Sequence, residues 1–501
     1  MAKVLHKPTV QKVFTRITEN PEGLERLDKT TEGLVFAIYF AAVTSMTEEE
    51  LESSLGGNKP TMATKYRQAA ENALMNADFL STQEFVTLQA FIIYLACVRW
   101  SEDTRMVWTL TGLALRIAQS LGLHRDGTHF PELPPFDREI RRRVWWHLHY
   151  LDCCASEDHG SDPTSADLNS DTRVPLNIND SDLDQTTTEI SLTDHEGITD
   201  ITFCLIRYDI TRTRRMIKIS RSMTEKEILL KACYQRLESK YLSYCQHGGT
   251  LYWLAENIAR MAIAREWLLL YHDQSRLDRS HTISRKMKDR LFLTNLQIIE
   301  RSIQLESDSR ANEWRWLIPR SHQWLPMVAV LAELCVRSQC DVVERAWRAV
   351  ETSYNQRSES GKWKSGNDAM LRKLMEKARA KRDKELSTES WDSLTNATFA
   401  ATSQPAHTDE EVQGGFRMEV EATPPSSHYG HIPSVYSHDA QADQPSTLAP
   451  WNLNQSAFVN DMGVVDDSIY WHNWDQLVMD FQGGVDGQEQ YTWEAAPGET
   501  E

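Results

Sequence analysis

"RIAQSLGLHRDGTHFPELPPFDREIRRRVWWHLHYLDCC", Arg116–Cys154, packs three consecutive arginines and two adjacent tryptophans into one short span. At about 100° per residue, Ile140, Val144, Leu148, Leu151 and Ala155 form one helical face. Asp137 is expected to cap this helix, with Glu139 in its first turn, where the dipole favours an acid. Arg141, Arg142 and Arg143 then point in three directions and cannot line one groove. That argues against a DNA-recognition helix. The trio reads as structural, its stems covering Trp145 and Trp146 and its heads pairing with acids of neighbouring helices. His147 and His149 lie about 200° apart on the helix and cannot chelate one ion together.

Upstream, Val107, Leu110, Thr111, Ala114, Ile117, Ala118 and Leu121 form a stripe at helical spacing, predicting a helix over Thr104–Leu121. Gly122 supplies its stop, and apolar Leu123 the contact that accompanies a left-handed cap. His124, Arg125 and Asp126 read as a cap and turn rather than an acid–base group.

Outward from this stretch, residues 1–385 read as helix after helix. Amphipathic patterns cover Ile201–Ile219, Thr224–Tyr244, Thr250–Tyr271, Ser284–Leu305, Trp324–Cys340 and Asp368–Glu385. Thr47 with Glu50 makes a capping box. The apolar run Leu34–Val43 is about half of the ~20 residues a membrane span needs and reads as a buried helix. No sheet-like alternation is sustained. The predicted class is all-α, a large multi-helix regulatory domain followed by a disordered acidic tail. One long interruption, residues 156–199, is rich in Asp, Ser, Thr and Asn, and a loop of that length is often functional.

The chain of 501 residues carries a net charge of −18. Residues 386–501 hold 19 acids against one base, Arg417, so the whole net charge sits in the tail and residues 1–385 are neutral. That balance speaks against a basic nucleic-acid-binding surface. Acids and small polar residues predict disorder in the tail. Within "DDSIYWHNWDQLVMDFQ", Asp466–Gln482, the residues Trp471, Trp474, Leu477, Val478 and Phe481 share a helical stripe ringed by Asp466, Asp467, Asp475 and Asp480. Such a segment fits an activation helix entering a coactivator groove, or a C-terminal helix docking back on the domain. The basic run Lys362–Lys384 is either an import signal or phosphate-contacting helix, or a solvated amphipathic helix.

Signatures of chemistry are missing. There is no G-x-S-x-G, P-loop, G-x-G-x-x-G or C-x-x-C in the chain. "DSDLDQ", Asp180–Gln185, starts like a calcium loop but has Gln185 where glycine is required and Ser191 where glutamate closes the loop. The eight cysteines lie within apolar helical patterns and read as reduced thiols, and no apolar secretory stretch follows the N-terminal lysines.

Trp108–Asp152 resembles the central motif of the fungal-specific transcription factor domain, the middle homology region of fungal zinc-cluster regulators. The likeness continues through "DTRVPLNINDSDLD", Asp171–Asp184, and "GITDITFCLIRYDI", Gly197–Ile210. "LVFAIYFAAVTSM", Leu34–Met46, and "ADFLSTQEFVTLQAFIIYL", Ala77–Leu95, extend it upstream. The resemblance implies an all-helical regulatory domain over residues 1–385. It also implies a nuclear regulator that is not an enzyme and that controls a metabolic or secondary-metabolite gene cluster. The transcription machinery or a coactivator would be met through the tail, and DNA indirectly through a homodimer or a zinc-cluster partner, with no membrane involved. Two departures stand out. The six-cysteine pattern is absent, so no cofactor is expected in this chain, and zinc only with an N-terminal cluster. "SEDHGSDPTS", Ser156–Ser165, replaces the usual Gly-Arg-Pro turn, matching only at Gly160. The alternative functions are a co-regulator that dimerises with a zinc-cluster factor and an all-helical enzyme.

Overall fold

Every regular element among the described residues is a helix. The computed structural model describes residues 3–19, 27–99, 104–164, 170–183, 193–245, 248–277, 285–317, 324–359, 371–385 and 387. The acidic tail with Trp471, Trp474, Leu477, Val478 and Phe481 lies outside them. So do residues 165–169 and 184–192 of the long loop and residues 362–370 of the basic run. The described residues fall into two units, one running to Arg372 and one beginning at Lys373.

Local chemistry sets the helix ends. Asp28 caps α2 (Lys29–Ser45), its carboxylate accepting from the Thr30 and Thr31 amides and hydroxyls, which hold its pKa down at about 2. The Thr47–Glu50 capping box opens α3 (Glu48–Leu55), which ends at left-handed Gly56. Asn58 caps α4 (Lys59–Asn76), with Pro60 in its first turn. The short α1 (Lys7–Glu19) precedes them. α5 (Phe85–Val98) is buried almost all round, from Thr87 through Val98, so it is the central post of the first bundle.

α6 (Thr104–Ser120) ends as the sequence predicts. Gly122 has φ +75, the Gly122 amide donates to the Gln119 carbonyl at 2.9 Å and the Leu123 amide to Ala118 at 2.9 Å. That is the two-bond Schellman pattern, and Leu123 is fully buried behind it.

α7 (Pro135–His159) starts differently from expectation. Asp137 is not its cap. Pro134 holds the N-cap position and Pro135 opens the helix, leaving Asp137 in the first turn. Two prolines with fixed φ already pre-organise the start and remove amide donors that a cap would serve. The helix also continues through Ser156 to His159, where left-handed Gly160 stops it, so the irregular stretch begins at Gly160.

Two packed cores follow. The first gathers Leu88, Phe91, Ile92, Leu95, Leu115 and Ala118 against Val144, Trp145, Leu148 and Leu151 of α7. The second is built on α8 (Thr202–Ile219) and α9 (Met223–Leu237), the latter continuing as a π turn, Glu238–Leu242, into α10 (Ser243–Cys245). It takes in α11 (Thr250–Leu277), part of α12 (Arg285–Ser307) and the 3-10 stretch Ser309–Leu317, through Phe203, Leu230, Leu254, Trp267 and Leu305. α7 and α8 join the two, with Trp146 and Tyr150 packed on Ile201, Cys204, Leu205 and Tyr208. α13 (Trp324–Leu334) stops short of the expected Cys340, its chain turning at Cys335, and α14 (Asp341–Glu359) follows. Residues 371–385 form α15, on which Leu371, Leu374, Met375 and Ala378 are buried. None of the eight cysteines forms a disulfide.

Trp145 is 1% exposed, with the His149 ring edge-on at 4.3 Å, whereas neighbouring Trp146 is half-buried. Trp145→Ala is expected to cost about 3–5 kcal/mol by transfer and cavity terms together. Denaturant unfolding checks this. A loss under about 1 kcal/mol, the range of a surface change, would contradict the central placement of α7.

Candidate functional site

The arginine trio separates as its geometry requires, but its partners are not on neighbouring helices. Arg141 Nη2 donates to the Leu121 carbonyl at 2.7 Å, placing a cation on an orphan carbonyl at the end of α6. A Cβ at position 122 would lie at an ordinary 3.7 Å from the same Nη2, so it is the positive φ of Gly122 and not space that calls for glycine there. Arg142 makes a two-pronged bond to Asp126, Nε to Oδ2 and Nη2 to Oδ1, both at 2.8 Å. Arg143 reaches Glu139 of its own helix at 3.3 Å and Asp180, in a 3-10 turn, at 2.7 Å. Apart from Glu139 of α7 itself, the acids come from turns and loops, where a carboxylate finds amides to satisfy as well as guanidinium groups.

Asp126 also accepts from the Thr128 amide and hydroxyl and from the Arg173 amide at 2.9 Å. Burial alone would raise its pKa, but Arg142 and these amides outweigh it and hold the carboxyl well below the usual range. Around it, Asp171 accepts from the Asp126 amide at 2.8 Å and meets Arg125 and His129 at the surface. The His124 carbonyl accepts from the Asp171 amide, and the His124 ring tilts against Trp145. His124, Arg125 and Asp126 thus do form a turn, one that grips residues 171–173. Trp146 completes the grip, its indole donating to the Arg173 carbonyl at 2.9 Å.

Asp180 is the second anchor. One carboxylate oxygen takes Arg143, and the other takes Lys3 Nζ at 2.8 Å and the Lys7 amide at 2.9 Å. Its own carbonyl pairs with the His6 ring at 2.8 Å. Burial opposes the charge, but Lys3, the Lys7 amide and Arg143 hold Asp180 down at about 2. The N-terminal arm is therefore part of the site, and Val4 is fully buried with its carbonyl accepting from Gln89. Between the anchors Asn177 donates to the His195 and Gly197 carbonyls and accepts from Thr199 and Thr202. Sequence reasoning missed Lys3, His6, Glu139 as an ion-pair partner, Asn177 and Asp180. The signal for the loop was "VPLNI", an apolar stretch inside an otherwise polar one.

A second ionic set lines the end of α7. Asp158 pairs with Arg99 at 2.7 Å, and Glu157 pairs with Arg214 and Arg265. Arg214 also meets Glu266 of α11. Asp152 accepts from the Thr164 amide and hydroxyl at 2.8 and 3.0 Å, while burial pushes its pKa up. His147 and His149 are buried on different sides, and burial, helped by Arg207, drives His147 down to about 3. Its Nδ1 meets the Tyr208 hydroxyl at 3.3 Å. Among the described residues no three His, Cys, Asp or Glu side chains converge on a metal position. Burial pushes the Cys97, Cys233 and Cys245 thiols up to about 12, which disfavours their thiolate forms. What this constellation does chemically is clamp, with carboxylates, guanidinium groups and amides holding one another.

Glu139 sets a pH signature. It is 1% exposed, and burial pushes it up to about 7 although Arg143, Arg142 and the Leu176 amide oppose the shift. A raised acid stabilises the fold while protonated, and that contribution fades as pH climbs from its unfolded value near 4.5 to about 7. Over that window the chain is expected to lose up to about 3 kcal/mol through this group, and Glu139→Gln to lose far less. Unfolding curves at pH 5 and pH 8 compare the two; an equal pH dependence would contradict the assignment. Asp126 and Asp180 act oppositely, stabilising above about pH 4 and failing only in acid.

The chain matches the fungal specific transcription factor domain over residues 2–304. It is 32% identical over 364 residues to the Aurofusarin cluster transcription factor aurR2 of Gibberella zeae, covering 71% of this chain and 54% of that protein. It is 29% identical over 468 residues to the C6 finger domain transcription factor adaR of Aspergillus niger, covering 85% and 58%. The C6 finger domain transcription factor nscR of Arthroderma benhamiae is 28% identical over 410 residues, covering 80% and 57%. The chain spans somewhat more than half the length of these relatives. Among the described residues no helix is long and apolar enough to cross a membrane. With more than half of its residues inside the matched domain, the chain belongs to the family of the fungal specific transcription factor domain.

Proposed function

We propose that the chain regulates transcription in the nucleus and controls a secondary-metabolite gene cluster. The observation that carries this reading is the family domain over residues 2–304, shared with relatives named as cluster and C6 finger transcription factors. The clamped helical region acts as the regulatory body. Its sequence through residue 385 is neutral, so counterion release gives it little general affinity for DNA. DNA is met indirectly, through a second copy or a zinc-cluster partner. The tail from residue 386 recruits the transcription machinery or a coactivator, with Trp471, Trp474, Leu477, Val478 and Phe481 entering an apolar groove and the surrounding aspartates steering toward a basic rim.

Fused to a heterologous DNA-binding domain, residues 386–501 are expected to raise reporter transcription. Trp471→Ala with Trp474→Ala is expected to remove most of the gain at equal protein levels. A parent that never activates, or a double variant as active as the parent, contradicts the activation role. Deleting the gene tests the wider reading: coordinated loss of a contiguous block of transcripts supports it, and an unchanged transcript profile opposes it.

A further inference from the structure

The α8–α9 hairpin carries the most exposed aliphatic side chains of the second bundle: Met216 at 43%, Ile219 at 65% and Ile228 at 59%. Their place on the hairpin follows from contacts around them. Arg236 bonds Asp209 at 2.8 Å and marks the seam between the two helices. Arg214 with Glu266, and Tyr271 with Glu227, mark the side covered by α11. At about 100° per residue, Arg212, Met216 and Ile219 fall on the opposite side of α8, and Ile228 on the corresponding side of α9. One open side of the hairpin therefore presents all three apolar residues.

The same hairpin is strongly basic. Arg212–Lys231 contains seven Lys or Arg and two acids, although residues 1–385 as a whole are neutral. Lys218 pairs with Asp162 and Lys231 with Glu227, while Arg212, Arg221 and Lys226 make no ion pair among the described residues. Arg212 on that side and Arg221 in the connecting turn, both without acids, accompany three uncovered aliphatics and call for an occupant that is both acidic and apolar, whereas Lys226 lies about 200° from Ile228 and turns the other way.

We infer that the open side of the α8–α9 hairpin is the docking surface for residues 466–482 of this same chain. That segment has the complementary pattern, with Trp471, Trp474, Leu477, Val478 and Phe481 on one helical stripe and Asp466, Asp467, Asp475 and Asp480 around it. Duplex DNA would satisfy the cations but leave Met216, Ile219 and Ile228 in water. An anionic lipid surface would satisfy both, yet it repels the −18 tail of the same molecule. Any unstructured linker of 80 residues, the length of 386–465, would reach about 50 Å, enough to span a bundle and hold the segment at roughly millimolar local concentration. While docked, the segment is withheld from a coactivator. The regulatory consequence rests on the activation role proposed above; the docking itself does not.

Two measurements on the full chain test this. A photo-crosslinking amino acid replaces Ile219 or, separately, Ile228, and the products are mapped by mass spectrometry with and without duplex DNA and phosphatidylserine vesicles. Intramolecular crosslinks to peptides within 466–482, weakened severalfold by Arg212→Glu with Arg221→Glu, support the docking. Crosslinks elsewhere in the chain, to a second copy, to DNA or to lipid overturn it. In the second, the full chain is fused to a heterologous DNA-binding domain, and Ile219→Ser with Ile228→Ser is expected to raise reporter output severalfold without changing that of residues 386–501 alone. If the isolated tail never activates, the activation role falls while the crosslinks still decide the docking. If the tail activates but the crosslinks lie elsewhere, the docking falls and the activation role stands.

Discussion

The buried Arg142–Asp126 and Arg143–Asp180 pairs are the interactions on which the rest of the structure depends. α7 can be the central helix only if its guanidinium groups are compensated, because an unpaired charge inside a protein costs several kcal/mol. The carboxylates that compensate them belong to irregular chain. Pairing therefore forces the turn at His124–Asp126, the loop at 171–180 and the N-terminal arm onto one helix. Asp126 accepts five hydrogen bonds and Asp180 takes three donors on its carboxylate, so little of either group's desolvation is left unmatched. Glu139 is the least compensated acid of the set.

This arrangement suits a regulatory body better than a reactive one. The buried carboxylates and guanidinium groups along α7 are spent on charged partners and backbone groups around the helix. Elsewhere, the α8–α9 hairpin keeps cations that make no ion pair among the described residues, and the tail is acidic in sequence. Those two regions have opposite sign, and both carry apolar residues at helical spacing. A basic-apolar face and an acidic-apolar segment on one chain are the physical ingredients of a switch.

Periodicity made the fold legible. The stripe of α6, its stop at Gly122 and the apolar face of α7 each follow from side-chain spacing and one glycine, and each is present. The family motif was legible for the same reason, since its residues are consecutive. What spacing cannot carry is partnership across irregular chain. Asp180 lies 37 residues from Arg143, and Lys3 lies 177 residues from Asp180, with no period relating them. Asp137 looked like a cap because its residue type suits one, yet Pro134 and Pro135 had already settled the helix start. α13 was drawn six residues too long because Cys335 and Val336 continue the apolar pattern after the chain has turned.

The central claim is that one ionic clamp holds the N-terminal arm and the 171–183 loop against α7. Hydrogen exchange on Asp180→Asn tests it most directly, because that change weakens the bonds to Lys3, the Lys7 amide and Arg143 together while keeping the side chain's shape. The account predicts that protection falls first and most at residues 4–10 and 174–183, with α5 and α6 retaining theirs. Protection that is unchanged in the arm and loop, or lost evenly across both bundles, would contradict it.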